Sequence, residues 1–177
     1  MGINKLGDFT GLAKNYSKYR VGYSPIVLDI LINSLPLDIT QIEFVDIGAG
    51  TGIWTRMVNK KKTKKTTAIE PNIDMLQEGI EISKNIGDSI SWKQGPAEAT
   101  NLLDESAHWI SMASSFHWTD FDVATKEFHR ILKPKGLFTA IWNPRFIESN
   151  PLLVEIENYL KELKPNIKRV SSGASGM

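Results

Sequence analysis

Cysteine is missing from all 177 residues, which removes disulfides and thiolate-bound metals and suits a reducing compartment. Charge imbalance is missing as well. Lys and Arg number 21 against 20 Asp and Glu, so bulk electrostatics give no reason to expect nucleic acid or an anionic membrane as partner. Histidine is scarce, and the His, Asp and Glu residues show no metal-ligand spacing, so no metal is expected. Long apolar runs are absent too: "PIVLDILI" is short, is interrupted by Asp29 and cannot span a bilayer. No segment reads as a secretory signal, and "MGINKL" has Leu6 where myristoylation needs Ser or Thr. The expectation is a soluble, cytoplasmic protein with one domain over 1–177, whose 41% hydrophobic residues suffice for a substantial core.

What is present alternates short β-rich runs with amphipathic helical stretches. "EFVDI" (43–47) is apolar, β-branched and bounded by glycine, as a strand buried on both faces should be. A helix follows over 51–60, then a strand "TTAIE" (66–70). The next helix, Asn72 to Lys84, shows Ile73, Leu76 and Ile80 on one face. Further strands are expected at "SISWKQ", at "AHWISMASS" (107–115) and at "GLFTAIW" (136–142), with a weak helical turn over Thr100 to Glu105. A helix carrying Phe121, Ala124, Phe128, Ile131 and Leu132 should stop at "KPKG", where Pro134 and Gly136 punctuate it. Two helices precede the first strand, Phe9 to Tyr19 and Pro25 to Leu35, and a last one spans about 150–163 before a polar tail (164–177). Such alternation indicates an α/β domain with a parallel sheet and right-handed crossovers. No internal repeat is present, and the run "KKKTKK" reads as a solvated loop.

The chemistry concentrates at "FVDIGAGTG" (44–52). Gly48, Ala49, Gly50 and Gly52 turn the first strand into a helix, where glycine permits positive φ and close approach of a ligand to backbone. Ligands of open α/β sheets sit beyond the carboxyl ends of the strands. Eighteen residues past Gly52, Glu70 ends the second strand, where a carboxylate can accept bonds from both hydroxyls of a ribose. Ile53 stands where a dinucleotide fingerprint needs its third glycine, and the P-loop lysine is absent. Asp46, ahead of the glycines, would repel pyrophosphate but suit a ligand with an ammonium or sulfonium group. That combination points to S-adenosylmethionine.

Over residues 9 to 142 the sequence resembles the class I S-adenosylmethionine-dependent methyltransferases. "VDIGAGTG" is similar to that family's first motif and "IEPN" to its second; "QGPAEAT", "SSFHW" and "LKPKGLF" resemble later ones. The resemblance implies a Rossmann-like, mostly parallel sheet of order 3-2-1-4-5 with helices on both faces. The cofactor-binding core is expected at 43–142, the amino-terminal helices (9–35) acting as a lid. Family members carry a sixth and a seventh strand, for which no sequence is seen after "GLFTAIW". The fifth strand should then be an exposed edge: either the sequence is a fragment, or the helix at 150–163 and a second copy in a homodimer cover that edge. The resemblance also puts Ala97 and Glu98 beside the adenine; Ile73 and Met75 are candidates to pack against it, and Pro71 is assigned to the cofactor site. Within the class, "YSKYR" and "SSFHW" look most like the small-molecule branch containing the trans-aconitate methyltransferases.

Tyr16, Tyr19 and Arg20 share one helical face. Arg20 is expected to bind the cofactor carboxylate and the tyrosines to close the site, Tyr19 toward the substrate. Ser114, Ser115, Phe116, His117 and Trp118 should border the methyl group at the end of the fourth strand. The serines are assigned to cofactor, and Phe116, His117 and Trp118 to substrate. His117 is the candidate base for a hydroxyl or amine acceptor, whereas a carboxylate needs none. The function expected is methyl transfer to a small-molecule acceptor. Alternatives are a non-catalytic binder of S-adenosylmethionine or S-adenosylhomocysteine and, with less support, an RNA methyltransferase.

Overall fold

A computed structural model describes residues 9–144 and 147–166, so most of the expected polar tail lies outside the described residues. The chain forms two compact units, one ending at Ile141 and one starting at Trp142. The first holds helices α1 (Ala13–Tyr19), α2 (Pro25–Asn33), α3 (Ile53–Asn59), α4 (Ile73–Ile86) and α5 (Phe121–Ile131). Its strands are β1 (Glu43–Ile47), β2 (Lys65–Glu70), β3 (Ile90–Gln94), β4 (Ala107–Ala113) and β5 (Leu132–Ile141). The second holds α6 (Pro151–Leu163), opened by Pro151 and by the Asn150 side chain, which accepts from the Leu152 and Leu153 N–H groups. Among the described residues no helix is long and apolar enough to cross a membrane.

All five strands pair in parallel, in the order β3-β2-β1-β4-β5. This is the Rossmann-like order expected, and the described residues contain no further strand of the sheet. The two-residue period of β1 feeds two cores. Phe44 packs with Leu28 of α2, Trp54 and Val58 of α3, and Trp109 of β4. Val45 and Ile47 face the other way, toward Ala124, Phe128 and Ile131 of α5. Helices therefore cover both faces, and β1 is buried between them.

Three local expectations change. No helical turn forms over Thr100 to Glu105; the Thr100 N–H and hydroxyl bond the Glu127 carboxylate instead. α5 stops just ahead of "KPKG", at Ile131, as expected, but the next strand starts at Leu132 rather than at Gly136. The backbone passes directly into β5, with Lys135 at φ 65° and a register shift against β4 between Ala107 and Trp109, which absorbs Pro134 as an irregularity. The first helix starts at Ala13 rather than Phe9, because Gly11 adopts φ 76° and its N–H bonds Asp74 of α4.

Candidate functional site

The carboxyl ends of β1, β2 and β4 open on a cavity of about 420 Å³. Five segments line it. Phe9, Tyr16, Arg20 and Tyr23 come from the amino-terminal segment, and Gly48, Ala49, Gly50, Ile53 and Trp54 from the turn after β1. Glu70 ends β2, with Pro71, Asn72 and Met75 after it; Pro96, Ala97 and Glu98 follow β3; Met112 and Ala113 end β4, with Ser114, Ser115, Trp118 and Thr119 after it.

The glycine turn is fastened by its neighbours. The Gly48 and Ala49 N–H groups both donate to the Ile69 carbonyl, at 2.8 and 3.0 Å. Gly48 has φ 67°, and a Cβ there would fall 2.7 Å from the Ser115 Cβ, so packing and backbone both demand glycine. A Cβ on Gly50 would meet nothing within 4 Å, so that residue faces open space. Gly52 does not line the cavity. It caps α3 at φ 83°, and a Cβ there would strike the Trp92 ring at 2.7 Å, so its glycine serves packing rather than ligand approach.

Glu70 holds this turn. Its Oε2 accepts the Gly50 N–H at 2.7 Å and its Oε1 accepts the Asn72 N–H at 2.9 Å. Burial raises its pKa, with those two N–H bonds pulling the other way. Each oxygen keeps a free lone pair, so two vicinal hydroxyls have acceptors waiting. Asn72 also caps α4, accepting from the Asp74 and Met75 N–H groups at 3.1 Å. Glu98, expected near an adenine, lines the cavity and also accepts the Asp120 N–H at 2.8 Å, at the start of α5.

Asp46 is not in the cavity. The alternation of β1 turns it to the same side as Phe44, beneath α3, where it is fully buried and its Oδ2 accepts the Thr55 hydroxyl at 2.5 Å. Its Oδ1 has no partner. Burial pushes its pKa up to about 7; the Thr55 hydrogen bond opposes the rise and nearby Glu70 adds to it.

The amino-terminal segment closes one side. Tyr16 lies edge-on to Phe9 at 5.7 Å, and the Arg20 guanidinium lies 5.8 Å from the Tyr16 ring. Arg20 Nη2 and the Tyr23 hydroxyl both donate to Ser114 Oγ, at 3.4 and 3.0 Å, while Arg20 Nε is buried without a partner. Tyr19 is 68% exposed and does not line the cavity; α1 turns it outward, beside Lys18. Beyond β4, Ser114 adopts φ 58°, unusual for a side-chain-bearing residue. A short 3₁₀ turn (Phe116–Trp118) then packs Phe116 on the core against Phe121, Phe128 and Phe138, so that it does not line the cavity. His117 lies on that turn, its ring 4.5 Å from Trp118, and is absent from the cavity lining. Burial lowers its pKa.

The structure thus brings together Tyr16, Arg20, Gly48, Ala49, Gly50, Glu70, Pro71, Met75, Ala97, Glu98, Ser114, Ser115 and Trp118. It leaves Asp46, Gly52, Tyr19, Phe116 and His117 outside. Sequence reasoning missed Tyr23 and Trp54. Tyr23 stands four residues past Tyr19 and seven past Tyr16, a spacing that extends the same aromatic series.

An open parallel sheet whose glycine turn and strand-end acid border one cavity is an α/β protein with its crevice where ligands of such sheets bind. Residues 44–136 match the methyltransferase domain family, and the chain belongs to the class I S-adenosylmethionine-dependent methyltransferases. It is 30% identical over 131 residues to an uncharacterized methyltransferase-like protein of Schizosaccharomyces pombe, covering 74% of this chain and 49% of that protein. Identity is likewise 30% over 131 residues to an uncharacterized methyltransferase of Mycobacterium bovis, covering 73% and 49%. The chain spans about half the length of the curated relatives it matches. Among solved structures, a provisionally described S-adenosyl-L-methionine-dependent methyltransferase from Methanococcus maripaludis superimposes with a TM-score of 0.66 at 26% identity, covering 94% of this chain and 77% of that one.

Proposed function

We propose that the chain is a cytoplasmic enzyme that binds S-adenosylmethionine in this cavity and transfers its methyl group to a small-molecule acceptor. The observation that carries the reading is the presence, in one cavity, of the Glu70 carboxylate on the glycine turn and of a buried Arg20 Nε without a partner. The cofactor offers both complements, a ribose diol and a carboxylate. The open space at Gly50 and the cavity volume suit it as well.

When bound, S-adenosylmethionine supplies a methyl made electrophilic by its positively charged sulfur. The chain's own residues bind, orient and exclude water. Glu70 accepts from the ribose hydroxyls and Arg20 donates to the carboxylate. Ala97 and Glu98 take the adenine edge, with Pro71 and Met75 against its face. Tyr16 and Trp118 narrow the opening. Positioning of this kind is worth roughly 7–11 kcal/mol of barrier in well-oriented reactions. For a hydroxyl or amine acceptor the candidate base is His117, whose lowered pKa keeps the imidazole neutral near pH 7; it would have to reach the acceptor from beside Trp118, outside the cavity lining. A carboxylate acceptor needs no base, and the likeness of "YSKYR" and "SSFHW" to the trans-aconitate branch supports that acceptor.

Binding without catalysis is the second reading, favoured by the absence of His117 from the cavity lining. Nucleic acid fits poorly, because Arg20 is the one cationic side chain among the described lining residues. Calorimetry with S-adenosylmethionine, S-adenosylhomocysteine and NAD, followed by methyl-release assays on small carboxylic acids, alcohols and amines, tests the assignment. Binding without turnover selects the second reading, and binding of NAD alone overturns both.

A further inference from the structure

Resting on the cofactor reading above, we propose that Tyr23 is a positioning residue that fixes the Ser114 hydroxyl as a hydrogen-bond donor toward the ligand's carboxylate. Ser114 lines the cavity at the end of β4 with φ 58°, and its N–H donates to the Ile141 carbonyl at 2.8 Å, so its backbone is held from outside the cavity.

A serine hydroxyl has two lone pairs and one proton. Both lone pairs of Ser114 Oγ are engaged, one by the Tyr23 hydroxyl at 3.0 Å and the other by Arg20 Nη2 at 3.4 Å. The hydroxyl proton is what remains, and it has only the cavity to donate to. Beside it stands the buried Arg20 Nε–H, which also lacks an acceptor. Two donors with no acceptor between them, one belonging to a cation, match a carboxylate and discriminate against a neutral or donor-bearing group.

Tyr23 is well placed to impose this polarity. Its ring packs edge-on against Trp54 at 5.4 Å, and the Trp54 indole N–H is fixed by Ser111 Oγ at 2.9 Å in the buried core. Burial also raises the Tyr23 pKa, so the phenol stays a donor through the physiological range. A phenylalanine would keep the packing and remove the bond. Ser114 Oγ would then have a lone pair free and could rotate its proton away from the ligand.

The test compares two ligands. S-adenosylhomocysteine carries the amino-acid carboxylate; 5′-methylthioadenosine keeps the adenosine and the sulfur but lacks it. By calorimetry, Tyr23→Phe should weaken S-adenosylhomocysteine binding by about five- to tenfold, the effect of one lost hydrogen bond, and leave methylthioadenosine within about twofold. Ser114→Gly removes the hydroxyl while suiting φ 58°; it should show the same split without a lower melting temperature. Equal weakening of both ligands, or no change for S-adenosylhomocysteine, overturns the proposal while the cofactor reading stands. A wild-type protein that binds neither ligand overturns the cofactor reading and this inference with it.

Discussion

The last residue of β2 holds the turn that leaves β1: Glu70 Oε2 accepts the Gly50 N–H at 2.7 Å. The acid therefore shapes the backbone of the turn as well as facing the cavity. Glu70→Gln keeps one acceptor oxygen and sets an amide NH₂ against an N–H donor. Its affinity for S-adenosylhomocysteine, measured by calorimetry, should fall at least about tenfold, with a lower melting temperature. Unchanged affinity would remove Glu70 from ribose binding.

Two glycines of one turn should fail differently. Gly48→Ala places a methyl 2.7 Å from Ser115 Cβ on a positive-φ backbone, so it should cost about 2 kcal/mol or more in denaturant unfolding. Gly50→Ala meets no atom within 4 Å and pays only the positive-φ strain, about 1 kcal/mol. Its methyl nevertheless projects into the open space of the cavity proposed for the cofactor, so cofactor affinity should drop far more than stability. A loss of affinity no larger at Gly50 than the fall in stability implies would mean that the ligand does not pass there.

Asp46 should make the protein pH-sensitive from beneath the site. Its carboxyl titrates near 3.8 in the unfolded chain and at about 7 in the folded one. The folded state then binds more protons between those values, so this group's contribution to stability falls as pH rises from about 4 through 7. The penalty, on the order of a few kcal/mol, is fully present above pH 7. Asp46→Asn should abolish it, raising the melting temperature at pH 8 and leaving it nearly unchanged at pH 5. A melting temperature lowered equally at both pH values would show that the side chain's contribution does not depend on its titration between them.

Trp92 of β3 is wedged against two glycines, Gly52 at the start of α3 and Gly79 inside α4. A Cβ would fall 2.7 Å from its ring at Gly52 and 2.3 Å at Gly79. Gly79→Ala should therefore destabilise the domain by about 1–3 kcal/mol despite alanine's better helix propensity, as read from urea unfolding. Paired with Trp92→Leu it should recover part of that loss; strictly additive costs would show that the two side chains do not share the space.

His117→Ala should leave cofactor affinity unchanged and slow methyl transfer to a hydroxyl or amine acceptor far more than to a carboxylate. Equal slowing on all acceptors, by initial-rate assay, would end its role as a base.

The sheet was legible because β1 is apolar throughout and stops at glycine, and because Glu70 sits one strand further on. Asp46 was misread although the signal existed: Phe44 and Asp46 share one side of a strand, and Phe44 belongs to the core under α3. Phe116 was misread because a 3₁₀ turn rotates three consecutive aromatic residues to different sides, which neither a strand nor a helix period anticipates. Tyr23 lies between two helices and finds Ser114 across 91 residues of sequence, and Trp92 meets Gly52 only once β3, α4 and the start of α3 come together. Such pairings leave no local periodicity to read.

The cavity is fastened unevenly. Its sheet side rests on continuous parallel ladders. Its amino-terminal side is tied to α4 by a few outlying polar bonds, Gly11 N–H to Asp74, Ser17 to Glu78 and Asn72 to Thr10. Held by these bonds and those of Arg20 and Tyr23 to Ser114, that segment is the least fastened wall, and amide protons along Tyr16 to Tyr23 should exchange with solvent well before those of β1 until a ligand seals the threshold.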